Sequence, residues 1–342
     1  MPDLALDFGN ALGKWHRPAT SGYGFYRHAI AQLQESEWRK VVRRGSPPLG
    51  LIKVNGTPYA VGDAARRYTT TDRPHGAARY HKDYYGVGLA FALVEAFGAS
   101  QKNVFLIASH APRDVDYSDA LEQSALGQYE VECEQGTLKF SVTEVYTYDE
   151  PIGGYSHFVL TETGQPKQRN PLLTSSSLVI DVGGYTVDVA AIDPGGVIDV
   201  LSLRSTVTGG LNLIDQFTSA MRANNRTLFQ DAGELDIRRI ESGILTGKYK
   251  YGNRFIDCKD EATEAINALV YDVRQAISAA GGYGNFDKNL VTGGFGALIY
   301  EALEAAIPGA DFMMAENRDR MKYANVFGGP KIVALLRKEG VL

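Results

Sequence analysis

One short unit occurs twice in this chain of 342 residues. An apolar strand enters an Asp-x-Gly turn at Leu4-Ala5-Leu6-Asp7-Phe8-Gly9-Asn10, and another does so at Val179-Ile180-Asp181-Val182-Gly183-Gly184, with Asp181 standing 174 positions after Asp7. Both copies run on into a second strand-like segment, as in a hairpin whose glycine takes a backbone shape that other residues resist. A repeat at that distance predicts two domains of common descent, and the chain is long enough for each to bury its own core.

The surrounding periodicity fixes the class. Strand-like runs fall at Leu4 to Phe8, Val104 to Ser109, Gln128 to Cys133, Lys139 to Tyr146, Leu178 to Val182 and Val187 to Ile192. Helical spacing covers Gly88 to Phe97, Gly210 to Ala223, Glu234 to Thr246, Glu261 to Ala280 and Gly296 to Ala306. Ile266, Leu269, Val270, Val273 and Ile277 give the clearest apolar stripe. The alternation indicates an α/β protein. Residues Gly153 to Ser177 are rich in Gly, Pro, Ser and Thr, composition that punctuates a chain, so the expected domains are 1–157 and 158–342.

Several functions are made poor readings by composition. Thirty-five Lys and Arg against forty Asp and Glu leave a net charge of −5, no basis for direct binding to nucleic acid or an acidic membrane. The first thirty residues carry Asp3, Asp7, His16 and Arg17 without a leader-like apolar stretch, and no segment has the length of apolar sequence a membrane span needs. A cytoplasmic protein is expected. Cys133 and Cys258 are far apart and lack zinc or disulfide spacing.

Chemistry concentrates at the turns. An Asp at a strand end, followed by a glycine turn, places a carboxylate beside backbone N–H groups, suited to a hydrated cation and a phosphate. Asp-x-Gly alone is a common turn. The second copy, however, extends to Asp181-x-Gly183-Gly184-x-Thr186-x-Asp188. In the first, Lys14 follows Asp7 by seven residues, so a hairpin can return its ammonium toward the turn; a solvated surface lysine is the alternative. A third cluster, Leu290-Val-Thr292-Gly293-Gly294-Phe-Gly296, reads as a strand-to-helix turn that a ligand can approach, or as a plain helix entry.

In their order, these parts resemble the superfamily of actin, the sugar kinases and the heat-shock chaperone ATPases: first phosphate loop, connecting segment, second phosphate loop, adenosine Gly-Gly loop. Within it the chain is most similar to the bacterial and archaeal actin-like proteins, especially the ParM plasmid-segregating group and its archaeal relatives. The resemblance implies the actin fold, two related RNase H-like α/β domains with a nucleotide cleft between them, and a modest insertion near residues 20–80. It implies that Asp7 and Asp181 hold Mg2+ through waters and that Gly9, Asn10, Lys14, Gly183, Gly184 and Thr186 contact phosphates. Gly293 and Gly294 would approach the adenosine. The Thr208-Gly209-Gly210 segment, with Gly209 and Gly210 packed close to the nucleotide, would open the next helix, where Asp215 can equally be an ordinary first-turn acid. A later helix carrying Glu241 and Lys248 would border base and ribose, although charged helix residues more often form a solvated face.

The connecting segment of the family carries a Glu or Gln that positions the attacking water. Its counterpart here is Thr147-Tyr-Asp149-Glu150-Pro-Ile-Gly153-Gly154, so Glu150 is the candidate and Asp149 the runner-up; a surface acid before a proline turn is the alternative. Tyr323-Ala-Asn325-Val-Phe-Gly328-Gly329 resembles the family's terminal turn before a last helix. The resemblance implies an ATPase, with ATP or GTP as the nucleotide, forming head-to-tail filaments that segregate plasmid DNA through a DNA-binding adaptor. A non-polymerising small-molecule kinase or a scaffold ATPase of the same fold is the competing reading. The Tyr- and Arg-rich stretch from Tyr23 to Tyr85 could supply a subunit interface or plain variable surface.

Overall fold

A computed structural model describes residues 1–43, 45–67, 76–230, 235 and 237–342, without the side chains of 66, 67, 76, 77, 237 and 238. The chain divides into two units, Met1–Leu173 with Tyr323–Leu342, and Thr174–Lys322.

Unit 1 is built on nine strands, β1 (Leu4–Phe8), β2 (Leu12–Arg17), β3 (Gly22–Arg27), β4 (Ile30–Gln32), β5 (Leu51–Val54), β6 (Thr57–Val61), β7 (Gln101–His110), β8 (Gly127–Cys133) and β9 (Gly136–Asp149). They lie in the order β3-β2-β1-β7-β9-β8-β5-β6-β4. Among them run helices α1 (Glu35–Val42), α2 (Lys82–Phe97), α3 (Ser118–Ala125) and α4 (Glu150–Val159). Strands β1, β7 and β9 are mutually parallel, whereas β1 and β2 form the antiparallel hairpin that the repeat predicts. Every residue of β1 is buried, as expected of a parallel strand covered on both faces. Helix α2 is buried continuously from Tyr84 to Val94 because it is apolar all round, and Gly98 ends it in the left-handed conformation at φ 61°.

In unit 2 the strands are β10 (Ser177–Val182), β11 (Val187–Asp193), β12 (Val197–Ile198), β13 (Arg204–Ser205), β14 (Lys248–Tyr251), β15 (Arg254–Asp257), β16 (Lys288–Thr292) and β17 (Phe312–Met314). Its helices are α5 (Gly210–Asn224), α6 (Arg226–Phe229), α7 (Ile237–Thr246), α8 (Lys259–Ala279) and α9 (Gly294–Ala306). The main sheet runs β12-β11-β10-β16-β17, with β13 beside β11. Helix α8 buries Leu269, Val270, Val273 and Ile277, the stripe expected from the spacing. The expected helix start at Glu234 lies outside the described residues.

The duplication extends beyond the motif. In unit 1 the series β3-β2-β1-β7-β9 pairs antiparallel, antiparallel, parallel, parallel; in unit 2 the series β12-β11-β10-β16-β17 pairs the same way. Asp7 and Asp181 each occupy the penultimate position of the central strand of their series, β1 and β10. Strands β4–β6 and helix α1 fall within residues 20–80 and, among the described residues, have no counterpart in the main sheet of unit 2.

Two glycine pairs correct the reading of turns. Gly153-Gly154 lies inside α4, and Gly328-Gly329 lies inside a last helix, α10 (Ala324–Lys338), which belongs to unit 1 and packs on α4. A Cβ on Gly328 would occupy the position of the Gly153 carbonyl, and one on Gly153 would stand 2.9 Å from the Asn325 Cα. These glycines remove side chains so that two helices can cross at close range. The change of unit accordingly comes at Leu173–Thr174 rather than at 157–158, and residues from Tyr323 onward return to unit 1.

Candidate functional site

The first hairpin holds a charge pair at its turn. Register sets Asp7 opposite Lys14, and the Lys14 Nζ donates to Asp7 Oδ2 at 2.6 Å. Asp7 is 1% exposed, and its Oδ1, like the Oδ1 of Asn10, has no hydrogen-bond partner among the described residues. Buried acceptors are rarely left so, and a hydrated cation or a phosphate-bearing ligand would satisfy them. The Gly9 carbonyl accepts a hydrogen bond from His28 Nδ1 at 2.5 Å, which pins the loop. A Cβ on Gly9 would come within 3.0 Å of the Leu12 carbonyl and 3.2 Å of Asp7 Oδ1.

The second hairpin is secured differently. Asp181 pairs in register with Asp188, and both carboxylates are buried. The Thr186 hydroxyl donates to Asp188 Oδ2 at 2.6 Å, and the Ser205 hydroxyl donates to Oδ1. The turn closes through Gly183 N–H to the Thr186 carbonyl at 2.9 Å. The start of α5 grips it from outside: Gly210 N–H donates to the Gly183 carbonyl at 3.0 Å and Leu211 N–H to that of Gly184 at 2.6 Å. A Cβ on Gly209 would lie 2.5 Å from the Tyr185 carbonyl carbon and 2.7 Å from the Thr186 nitrogen. Gly210 faces the Phe295 ring equally closely. Both glycines therefore act here on the loop itself.

Gly293 joins this arrangement. Thr292 is in parallel register with Asp181, and Gly293 turns at φ +85°, where a Cβ would overlap Asp181 Oδ1 and the Val182 carbonyl oxygen. Any side chain would collide with the carboxylate, and the backbone shape independently favours glycine. Gly294 opens α9 with more room, 3.3 Å from a built Cβ to the Lys322 Cβ.

Glu150 is no surface acid. It is the first residue of α4, directly after β9, and is 8% exposed. Because Asp7 pairs with Ser109, and His110 with Asp149, Glu150 sits at the carboxyl end of the parallel strands two positions across from Asp7. At about 4.8 Å per strand that is a lateral separation of about 10 Å. Ligands of open α/β sheets bind along such edges. The Arg79 guanidinium stands 3.8 Å from Glu150 Oε1 and 3.1 Å from Asp114 Oδ2, and donates to the Tyr80 hydroxyl at 2.5 Å. Burial disfavours the Arg79 cation, but Tyr80, Glu150 and Asp114 together outweigh it and hold the group firmly protonated. The neighbouring Asp149 carboxyl is pushed up by burial, an effect His110 at 3.5 Å partly opposes.

Comparison with solved structures settles the architecture. The archaeal actin homologue Ta0583 matches 97% of this chain and 99% of its own, with a TM-score of 0.74 at 16% identity. The bacterial actin-like protein Alp7A matches 98% and 97%, with a TM-score of 0.76 at 12% identity. The chain has the actin fold. A fifteen-stranded ParM filament from Clostridium botulinum also matches, covering 97% of this chain and 99% of that one, with a TM-score of 0.72 at 16% identity. No family model and no curated protein sequence matches the chain.

Within the actin fold the expected residues separate into three groups. Asp7, Gly9, Asn10, Lys14 and Glu150 gather at one edge of the sheet in unit 1. Asp181, Gly183, Gly184, Thr186, Gly209, Gly210 and Gly293 converge on the second loop in unit 2. Glu241 and Lys248 are exposed, and they do not share a helix: α7 ends at Thr246, Gly247 turns at φ 67°, and Lys248 begins β14. Sequence reading missed Arg79, Tyr80 and Asp114, since nothing in local spacing links them to Glu150. Among the described residues no three His, Cys, Asp or Glu side chains converge as a metal cluster, and a cation carried on one carboxylate with water and ligand oxygens needs no such cluster. The open Oδ1 of Asp7 suits that mode.

Proposed function

We propose that this protein is a polymerising actin-like ATPase that binds ATP with Mg2+ and couples hydrolysis to filament dynamics. The observation that carries it is the duplicated Asp-hairpin, with Asp7 and Lys14 joined at 2.6 Å in one copy and Asp181 on a Gly183-Gly184 loop in the other, each at the same place in a repeated sheet. The similar Ta0583 has a solved ADP complex, and a similar ParM has a solved filament, which support nucleotide and assembly in turn.

Asp7 and Asp181 would hold the hydrated Mg2+, and Gly9, Asn10, Lys14, Gly183, Gly184 and Thr186 the phosphates. Bound Mg2+ supplies charge neutralisation on the phosphate oxygens. Lys14 is placed to exchange its contact with Asp7 for a phosphate oxygen, keeping a cation in the turn throughout. Glu150 orients the attacking water and accepts its proton. Gly293 and Gly294 would line the adenosine, with Glu241 and Lys248 at its margin. ATP favours head-to-tail contacts and hydrolysis weakens them, since the nucleotide states differ in their preference for closed and open forms. Filaments of this kind would move plasmid DNA through a DNA-binding adaptor in the cytoplasm, consistent with a net charge of −5 that gives the chain no direct hold on DNA. No described helix is long and apolar enough to cross a membrane.

High-speed sedimentation with imaging of the pellet tests this reading, with magnesium and ATP, GTP, ADP or no nucleotide, beside Glu150→Ala. ATP-dependent filaments that persist longer in the variant are expected. A protein that binds ATP yet never pellets would be a kinase or a scaffold of the same fold.

A further inference from the structure

A buried acid in a water-depleted site tends to take up a proton, and a protonated Glu150 could not accept one from water. The surroundings of Glu150 counter that tendency. Arg79 is 1% exposed and is held from behind, its guanidinium ion-paired with Asp114 at 3.1 Å and bonded to Tyr80 at 2.5 Å. The Tyr80 hydroxyl in turn donates to Asp114 Oδ2 at 3.3 Å, and the Ser124 hydroxyl donates to the Tyr80 carbonyl at 2.7 Å. Asp114 lies in the short 3-10 segment Pro112–Tyr117 that follows β7, so it and Glu150 issue from the carboxyl ends of neighbouring strands. The charge thus fixed stands 3.8 Å from Glu150 Oε1, within ion-pair range but longer than a hydrogen bond.

We propose that Arg79, locked by Asp114 and Tyr80, is a positioning residue that holds Glu150 ionised and aimed. The inference rests on the assignment of Glu150 above. The distances divide the labour: the shorter contact to Asp114 anchors the cation, and the longer one to Glu150 supplies charge alone. Among the described residues, the charged and titratable groups around Glu150 include Arg79, Asp114 and Tyr80, with Asp149 preceding it and paired to His110. Only Arg79 among them is a permanent cation, so its removal should raise the pH at which Glu150 ionises, whereas loss of the His110 contact should act mainly on Asp149.

The test uses the full chain with Mg·ATP, measuring kcat across pH 5.5–9 together with ATP affinity. For Arg79→Met we expect a kcat about tenfold or more lower near neutrality, ATP affinity within about twofold, and an acid limb moved upward by about one unit, so that high pH restores much of the rate. Arg79→Lys should fall between the two, and Asp114→Asn, which keeps the cation and removes the carboxylate that competes for it, should not raise the limb. In a Glu150→Gln background Arg79→Met should cost nothing more. A wild type that binds no ATP overturns the functional reading itself. A wild type that hydrolyses ATP, with Arg79→Met lowering the rate equally in both backgrounds or leaving the acid limb in place, overturns only the role given to Arg79. If Arg79→Met does not fold, the Arg79→Lys profile decides the matter, and an unmoved limb there counts against it.

Discussion

The two Asp-hairpins share a place in the sheet and differ in how each keeps a buried carboxylate. In the first, the residue opposite Asp7 is Lys14, and charge meets charge at 2.6 Å. In the second, the residue opposite Asp181 is another acid, Asp188, and neutral hydroxyls from Thr186 and Ser205 satisfy it. Like charges directly across a strand pair are unfavourable, so this second turn needs outside support. It receives that support from the amides that open α5 and from Gly293 pressed against the loop. The first turn is held by His28, whose ring donates to the Gly9 carbonyl and whose backbone N–H donates to the Ala11 carbonyl at 3.0 Å, and Asp7 Oδ1 and Asn10 Oδ1 have no hydrogen-bond partner among the described residues. The first hairpin is thus held by a charge pair at its turn, and the second by hydroxyls, backbone amides and close glycine packing.

The sharpest way to break that comparison is to add a methyl group to each. Gly293→Ala should lower stability by about 3 kcal/mol or prevent folding, because both the collision with the Asp181 carboxylate and the φ of +85° oppose it. Gly9→Ala, with gaps of 3.0 and 3.2 Å to absorb, should cost about 1 kcal/mol or less while weakening ATP binding. Urea unfolding of both variants measures the contrast, and equal losses would show that the loops are equally rigid. Next in size comes removal of the charge partner. Lys14→Met leaves Asp7 buried beside no cation and should cost about 2 kcal/mol, less than a fully buried pair because the Lys14 side chain is 14% exposed. Adding Asp7→Asn should recover part of that loss, and a double variant no more stable than Lys14→Met would mean that the pair contributes through packing alone.

The hairpins, their parent strands and the longer helices were legible in the sequence because each is local. Asp7 and Lys14 sit seven residues apart, a distance that one tight turn must close, and the buried strands read as continuous apolar runs. Residues joined only by tertiary packing were not legible. Glycine pairs look alike in sequence whether they bend a chain or admit a second helix, so Gly153-Gly154 and Gly328-Gly329 read as turns until α10 is seen lying on α4. The surroundings of Glu150 were hidden for a related reason: Arg79, Asp114 and Glu150 are separated by 35 and 36 residues, Asp114 and Glu150 meet because β7 and β9 are neighbours, and Arg79 joins them from the segment Gly76–Tyr80 packed beside Pro112–Tyr117. Lys248 failed at finer scale, since a single Gly247 at positive φ separates a helical lysine from one that starts a strand.

The smallest expected effect bears on the second loop alone. Thr186→Val and Ser205→Ala each remove one hydroxyl from the Asp188 carboxylate, and each should cost about 1 kcal/mol, since one donor remains in either case. Removing both leaves a fully buried carboxylate without either, so the double variant should lose more than the sum, with a coupling of about 1 kcal/mol. In an Asp188→Asn background the coupling should largely vanish, because a neutral amide has far less need of two donors and relieves the repulsion from Asp181. Strict additivity with Asp188 in place would mean that the two hydroxyls act on separate parts of the structure. The second loop would then depend on α5 and Gly293 alone, and the contrast with the charge-held first loop would narrow to one of packing.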